Sequence, residues 1–276
     1  MTDRALVLGG GGVAGIAWEV GMLAGLAEAG VDLAAADTVV GTSAGSVVGA
    51  QLAAGVDIEE AYQRQLVPPQ SEIAARLPWS TMLRWGWAAM SHRDPRKARA
   101  QIGAMALAAP TVSEAERRAV LESRIPVRDW PARGLLITAV DAESGRFVVF
   151  DRDSGVGLID AVGASCAVPG VWPPVTINGR RYIDGGVRSA ANVDLAAGCD
   201  PVVVIAPLPG GAGSAPSVAR QAAALAGRVV VVTPDRAAKR AFGRNLLDPA
   251  SRAPAARAGR DQATREAARI AEAWVP

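Results

Sequence analysis

The residues most capable of chemistry form the pentapeptide GTSAG at positions 41–45, which fits the pattern G-x-S-x-G. It lies where a predicted strand, residues 38–40, meets a predicted helix of small residues, 46–54. Glycines that flank a serine by two positions permit a strained turn, which lifts the serine hydroxyl clear of the backbone at the next helix N-terminus. The spacing therefore predicts Ser43 as a nucleophile. A turn that needs small residues for packing alone is the alternative.

A second glycine-rich segment, GGGVAG at residues 10–15, follows a predicted strand and precedes helical spacing. Its pattern G-x-G-x-x-G is typical of a dinucleotide-binding loop, so a nucleotide-binding oxidoreductase is one interpretation. Such folds usually place Asp or Glu at the end of the second strand, where this sequence has VVG at 39–41. Beside an activated serine the loop has another use, because the backbone N–H groups of Gly10, Gly11 and Gly12 can form an oxyanion hole.

An activated serine needs a base, and the chain has a single histidine, His92, in the polar segment SHRDP at 91–95. A lone loop histidine is more often a surface residue than a catalyst. The remaining candidate is Asp184, which begins the segment DGG after a predicted hairpin strand, residues 181–183. An Asp carboxylate with its ordinary pKa of about 3.9 is a weak base, but a desolvating site raises that pKa. The sequence therefore predicts Asp184 as the general base.

Composition excludes several classes of protein. With 50% hydrophobic and 20% charged residues the chain is a folded globular protein, and its 29 basic and 27 acidic residues form no block that follows a nucleic-acid backbone. Cys166 and Cys199 form no CxxC pair, so neither a zinc site nor a disulfide framework is expected. Glycines and Glu19 interrupt the N-terminal apolar stretch, and no run reaches the roughly 18 apolar residues of a membrane span. We therefore expect a cytoplasmic protein without a signal peptide, a transmembrane segment or a nucleic-acid partner.

Hydrophobic periodicity predicts the elements that must position these residues. Two units of strand, glycine turn and helix in the N-terminal part favour a parallel sheet covered by helices. Residues 57–130 show no strand pattern and are predicted to be a helical insertion. Further strands are predicted in hairpins at 134–150 and 175–183 and singly at 201–206 and 229–232, with Arg/Ala-rich helix to the C-terminus. Because no linker divides the chain, we expect one mixed α/β domain over residues 1–276.

Four segments taken together resemble the patatin-like phospholipase family: GGGGVAG, GTSAGS, SCAVPGVWPP at 165–174, and DGG. They occur in the family's order and span residues 9–186, about two thirds of the chain. The resemblance implies a three-layer α/β/α fold with a mostly parallel central sheet. It also implies a bacterial serine lipid acyl hydrolase, a phospholipase A or carboxylic ester hydrolase, that uses a Ser-Asp dyad without histidine. Lipid or small esters are the implied substrates, and no metal or organic cofactor is implied.

Carried over by motif, the resemblance makes Ser43 the nucleophile, Asp184 the general base, and the backbone of Gly10, Gly11 and Gly12 the oxyanion hole. It also implies supporting positions in the surrounding turns, with the asparagine orienting the loop after DGG: Gly15, Gly41, Gly45, Gly185, Gly186 and Asn192.

Two departures from the family pattern bear on function. Ala14 stands where Arg or Lys is common, so a catalytically silent binding protein with the same fold stays open as an alternative. Trp172 replaces a usual Phe and keeps an aromatic side chain there. The insertion adds a further hypothesis: its Trp- and Met-bearing helices, from about 72 to 108, form a lid over an acyl-chain channel and contact a membrane surface. Packing of these side chains onto the domain core is the alternative.

Overall fold

The computed structural model describes residues 3–68, 75–76, 79–210 and 216–274. Its strands are β1 (Ala5–Leu8), β2 (Thr38–Gly41), β3 (Gly134–Asp141), β4 (Phe147–Phe150), β5 (Val175–Ile177), β6 (Arg180–Asp184), β7 (Val202–Ile205) and β8 (Val229–Val232). Its α-helices are α1 (Gly12–Glu28), α2 (Ala44–Ala53), α3 (Ile58–Leu66), α4 (Trp79–Ser91), α5 (Pro95–Leu107), α6 (Glu114–Arg124), α7 (Leu158–Ser165), α8 (Val218–Ala222), α9 (Arg236–Phe242) and α10 (Arg252–Trp274).

All eight strands belong to one sheet, in the order β5-β6-β3-β2-β1-β7-β8, with β4 paired to β3 outside this path. Four pairings are parallel and join five strands in the order β3, β2, β1, β7 and β8. The pairings of β3 with β4, β3 with β6 and β5 with β6 are antiparallel. The prediction of a mostly parallel sheet is confirmed, and the two predicted hairpins supply its antiparallel part.

The strand at the centre of the sheet shows why helices cover both faces. On β1, Leu6 and Leu8 belong to one apolar cluster and Ala5 and Val7 to another, and all four side chains are fully buried. Such a strand is apolar throughout because neither face of the sheet meets water. Helices α1, α2, α9 and α10 contribute to the first cluster, and α8 contributes to the second. The result is a mixed α/β fold with a central sheet flanked by helices, as expected.

Glycine positions correctly predict the end of α1 and the turn between β5 and β6, but not the start of α1. Helix α1 ends as expected, with Gly30 at φ 82° and its N–H donating to the carbonyl oxygen of Ala27 at 3.0 Å. The turn at 178–179 has positive φ at both residues, as a two-residue hairpin turn requires. However, α1 begins at Gly12 rather than Gly15, because glycines carry no apolar side chain to reveal helical spacing.

The C-terminal part differs from the prediction of continuous helix. Helix α9 ends at Phe242, and the next residue, Gly243, has φ 65°, which a helix does not accommodate. Helix α10 begins only at Arg252 and runs along α1. A Cβ on Gly21 of α1 would collide with the backbone of Ala256, so the glycine allows the two helices to approach closely.

The predicted insertion at 57–130 is helical and contains no strand within its described residues. Its helices pack in different apolar clusters. Helix α3 joins the main core through Ala61 and Tyr62, and α6 joins it through Leu121. Helices α4 and α5 instead enclose a separate apolar cluster with the ends of β3 and β6. The part of the insertion that lies outside the main core is therefore the α4–α5 hairpin.

Candidate active site

Ser43 occupies the sharp connection between β2 and α2. Its backbone has φ 52° and ψ −115°, and it is the N-cap residue of α2. A non-glycine residue with positive φ stores roughly 1–3 kcal/mol of strain, which is typical of functional turns. Because Ser43 caps α2, it lies at the positive end of the helix dipole. The residue is 8% exposed.

The two glycines of GTSAG are required by close backbone approaches. A Cβ on Gly45 would collide with the carbonyl of Leu8 at the end of β1. A Cβ on Gly41 would lie 2.6 Å from the Cα atom of Ser46. Any larger residue at either position would push α2 away from the sheet, so the supporting role expected for Gly41 and Gly45 has a steric cause.

Three side chains hold the backbone of Ser43 in this conformation. The Ser43 N–H donates to Ser165 Oγ at 2.9 Å. The Ser43 carbonyl oxygen accepts from Ser46 Oγ at 2.7 Å and from the Cys166 thiol at 3.3 Å. Ser165 and Cys166 lie at the end of α7, in the segment SCAVPGVWPP, for which the sequence indicated no contact with the serine turn. Sequence reasoning therefore missed their contact with Ser43.

Asp184 is the last residue of β6, and its side chain lies beside that of Ser43. The carboxylate is 5% exposed and accepts the Gly186 N–H at 2.7 Å. Burial raises the pKa of Asp184 to about 6, and hydrogen bonds from the Ser43 hydroxyl and the Gly186 N–H act in the opposite direction. The structure thus brings the two predicted dyad residues together, with the Ser43 side chain close enough to the carboxylate to oppose the rise of its pKa.

The side-chain amide of Asn192 connects the segment that carries Ser43 with the segment that carries Asp184. The amide nitrogen donates to Thr42 Oγ1 at 3.0 Å, to the Ser189 carbonyl at 3.0 Å and to Thr138 Oγ1 at 3.3 Å. Thr42 precedes Ser43, and a Cβ on Gly185, which follows Asp184, would collide with Thr138. The orienting position expected for Asn192 thus has a physical basis, while Thr42 and Thr138 were not predicted from the sequence.

The glycine loop passes directly beside the serine, since a Cβ on Gly10 would lie 3.4 Å from Ser43 Cβ. One expectation needs correction here. The Gly10 N–H donates to the Ala190 carbonyl oxygen at 2.7 Å and is therefore engaged within the protein. For Gly11 and Gly12, no acceptor of the backbone N–H is found among the described residues. Those two amides are the ones that can serve an oxyanion.

Close packing explains why the rest of the loop is glycine. A Cβ on Gly11 would lie 2.5 Å from the Pro207 ring, and one on Gly12, at φ 62°, would lie 2.7 Å from the Leu246 carbonyl oxygen. A Cβ on Gly15 would lie 3.3 Å from the Pro207 ring. The Gly15 N–H donates to the Gly11 carbonyl oxygen. The loop is therefore held from behind by the segments after β7 and α9, and Gly15 keeps α1 close to them.

Two other predicted positions lie outside this arrangement. His92 lies between α4 and α5, and within the described residues it forms no hydrogen bond with Ser43 or Asp184. Trp172 is 5% exposed, and the Arg117 guanidinium lies 4.0 Å from its ring centroid. The aromatic position thus serves packing.

The chain thus has a strained serine turn beside a buried carboxylate at one edge of a mixed α/β sheet. The chain matches the Patatin-like phospholipase family over residues 6–197, well over half of its length, and it belongs to that family. This membership supports a lipid hydrolase. Among the helices of the described residues, none combines the length and hydropathy that crossing a membrane requires.

Solved structures show similarity of fold. VipD from Legionella pneumophila matches with a TM-score of 0.50 at 14% sequence identity, over 98% of this chain and 67% of that one. The type III effector protein ExoU matches with a TM-score of 0.39 at 19% identity, over 96% of this chain and 53% of that one. At 14% identity the likeness to VipD concerns the fold alone. The chain spans about half the length of ExoU.

Proposed function

We propose that the protein is a serine lipid acyl hydrolase, a phospholipase A or carboxylic ester hydrolase, with Ser43 as nucleophile and Asp184 as general base. The observation that carries the proposal is the position of the Ser43 side chain beside the buried carboxylate of Asp184, whose pKa burial raises to about 6. At neutral pH such a carboxylate is ionised yet more basic than an exposed Asp, as general-base catalysis favours. The fixed donors around Ser43 and Asp184 pre-organise the pair.

In the first step, Ser43 Oγ forms a bond to the ester carbonyl carbon while its proton passes to Asp184. The carbonyl oxygen becomes an oxyanion, which the N–H groups of Gly11 and Gly12 and the N-terminus of α2 stabilise. The ester C–O bond then breaks, and the alcohol or lysolipid leaves with the proton from Asp184. Ser43 retains the acyl group as an ester.

In the second step, Asp184 accepts a proton from water, and the hydroxide attacks the acyl-Ser43 carbonyl. Collapse of the second tetrahedral intermediate returns the proton to Ser43 Oγ and releases the fatty acid. Every proton transfer uses the same carboxylate, so the scheme is complete without an imidazole, a metal or an organic cofactor.

Labelling with a fluorophosphonate probe tests the nucleophile directly, because the probe reacts with activated serines. We expect the wild-type chain to be labelled and to hydrolyse short-chain p-nitrophenyl esters, and Ser43→Ala to do neither. His92→Ala is the control and should match the wild type in both assays. The probe also separates the alternative functions. A folded wild-type chain that resists labelling would be a catalytically silent protein, and one that nicotinamide dinucleotide also stabilises against heat would be an oxidoreductase.

A further inference from the structure

Helix α4 carries a stripe of apolar side chains that no other part of the described structure covers. Leu83, Trp87 and Met90 are 57%, 65% and 88% exposed. Their spacing of four and three residues places them on one side of the helix. On the other side, Trp85 and Ala88 pack into the apolar cluster of the α4–α5 hairpin. Helix α4 is thus apolar on two sides, whereas a helix that packs only against its own domain needs one.

The same hairpin has a strong positive balance. Between residues 79 and 107 the sequence has five basic residues and a single acid, Asp94, while the whole chain has 29 basic and 27 acidic residues. Arg84, Arg93 and Lys97 are exposed, and none of them has an ion-pair partner among the residues that the structure describes. Asp94 caps α5 by accepting the Arg96 N–H at 2.8 Å. An uncovered apolar stripe therefore lies among unneutralised cations.

We propose that this face is a docking surface for an anionic phospholipid bilayer. We call it the α4 face and define it by Leu83, Trp87 and Met90 together with their cationic neighbours Arg84, Arg93 and Lys97. Apolar side chains on one side of a helix enter the boundary between headgroups and acyl chains, and basic side chains beside them contact anionic headgroups. A second copy of the chain fits less well, because a symmetric dimer would bring the same positive charges against each other.

The α4 face lies close to the part of the chain that carries Asp184, so docking would bring a bilayer near the proposed active site. The buried side of α4 packs in a cluster that contains Ile183, the residue before Asp184. At its start, the Thr81 side chain lies 3.3 Å from the Cβ position of Gly170, in the loop that follows α7. A bilayer held by the α4 face would therefore lie near the end of β6 that carries Asp184. The inference rests on the proposed function for this purpose, but the binding is measurable without turnover.

Vesicle co-sedimentation of the full chain tests the proposal, with phosphatidylcholine vesicles that contain or lack phosphatidylglycerol. We expect the chain to bind the phosphatidylglycerol vesicles at least about tenfold more strongly, and this binding to weaken as salt is raised. Trp87→Gln/Met90→Gln should lower binding to both kinds of vesicle by about tenfold. Arg93→Ser/Lys97→Ser should lower binding to the anionic vesicles alone by about tenfold.

Matched controls lie elsewhere on the surface. Lys239→Ser/Arg240→Ser removes one Lys and one Arg that are exposed on α9, and Val67→Gln removes an apolar side chain that is 56% exposed after α3. Both should bind vesicles like the wild type. All of these positions are exposed, so thermal melting should show unchanged folding.

Three results would overturn the docking proposal. The chain could stay in the supernatant with anionic vesicles, the α4-face variants could bind like the controls, or Trp87→Gln/Met90→Gln could dissociate a dimer without changing vesicle binding. The catalytic proposal fails separately. Ser43→Ala should bind vesicles normally, and a wild-type chain that hydrolyses a soluble ester but does not sediment contradicts docking alone. A chain that sediments as expected but resists the fluorophosphonate probe contradicts the catalytic proposal alone.

Discussion

Asp184 and Glu19 are both carboxylic acids in the interior of the protein. Asp184 is 5% exposed and Glu19 is fully buried, and in both cases burial raises the pKa. Asp184 accepts a hydrogen bond from the Gly186 N–H, and the Ser43 side chain beside it also lowers its pKa. Glu19, within α1, has no hydrogen-bond partner for either carboxylate oxygen among the described residues.

The difference shows that burial alone does not make a base. The Gly9 N–H acts against the rise in the pKa of Glu19, but it already donates to the carbonyl oxygen of Ile205 at 3.0 Å. Burial consequently raises the pKa of Glu19 well above its ordinary value. At Asp184 the hydrogen bonds limit the rise to about 6, so the ionised form is present at neutral pH and faces a hydroxyl. A catalytic carboxylate needs both desolvation and partners.

Asp184→Asn should have the largest effect, with opposite signs for activity and stability. Removal of the base should lower kcat by about 10²–10⁴-fold. In the unfolded chain the Asp pKa is near 3.8, so between pH 3.8 and about 6 the folded state holds a proton that the unfolded state has lost. The wild type therefore loses stability as pH rises through this window, by about 3 kcal/mol in total. Asparagine removes that loss, and urea unfolding at pH 7 should show a more stable variant.

Asp261→Asn, on the exposed side of α10, is the matched control and should change neither property. The wild-type kcat/KM should rise with pH around a midpoint near 6, as Asp184 ionises. An Asp184→Asn chain that is folded and keeps wild-type turnover would remove Asp184 from the mechanism.

Ser165→Ala tests whether the hydrogen bond that holds the Ser43 backbone contributes to turnover, as Asp184 is expected to do. Ser165 is fully buried, and its loss leaves the Ser43 N–H without its acceptor, which costs about 1–3 kcal/mol of stability. We expect kcat to fall about tenfold with KM unchanged, because a misplaced hydroxyl affects reaction more than binding. The midpoint of the pH profile should stay near 6, since the surroundings of Asp184 are intact.

Ser165→Thr keeps a hydroxyl and should recover most of the lost kcat. Ser251→Ala is the control, because Ser251 is also buried but bonds to Asp248 in the turn before α10. A Ser165→Ala chain that is less stable but has wild-type kcat would mean that Ser165 supports the fold without positioning Ser43.

Local patterns predicted the parts of the site that depend on short-range geometry. Glycine spacing located the turn at Ser43, and the strand before DGG located Asp184, because each motif ends its own element. The contacts that join the motifs could not be predicted in this way. Ser43 and Ser165 are 122 residues apart, and Thr42 and Thr138 are 96 apart. Such pairs follow from sheet order, which hydrophobic periodicity does not determine.

The glycine loop and α4 show two further limits of sequence reasoning. A row of glycines indicates free amides, but the Gly10 N–H finds an acceptor in Ala190, on the loop after DGG. Only the packed structure shows which amides remain available. Similarly, the apolar positions of α4 fit a helix that packs against its own domain, and Trp85 packs in the separate cluster of the α4–α5 hairpin. Periodicity could not show that Trp87 and Met90 are left uncovered.

Glu19→Gln should have the smallest effect on activity and a clear effect on the pH dependence of stability. Because the folded pKa of Glu19 is raised above 4.5, the folded wild type keeps a proton that the unfolded chain releases above that pH. Wild-type stability therefore falls as pH rises from 4.5 toward the folded pKa, and glutamine, which is neutral and of similar shape, should remove this slope.

Glu59→Gln on α3 is a control in which the effect of pH on stability has the opposite sign. Arg260 donates to Glu59 and holds its pKa below the ordinary value, so this substitution should lower stability at neutral pH and not below the lowered pKa. Parallel stability curves for Glu19→Gln and the wild type between pH 5 and 8 would mean that Glu19 ionises freely, and burial would then not distinguish it from a surface acid.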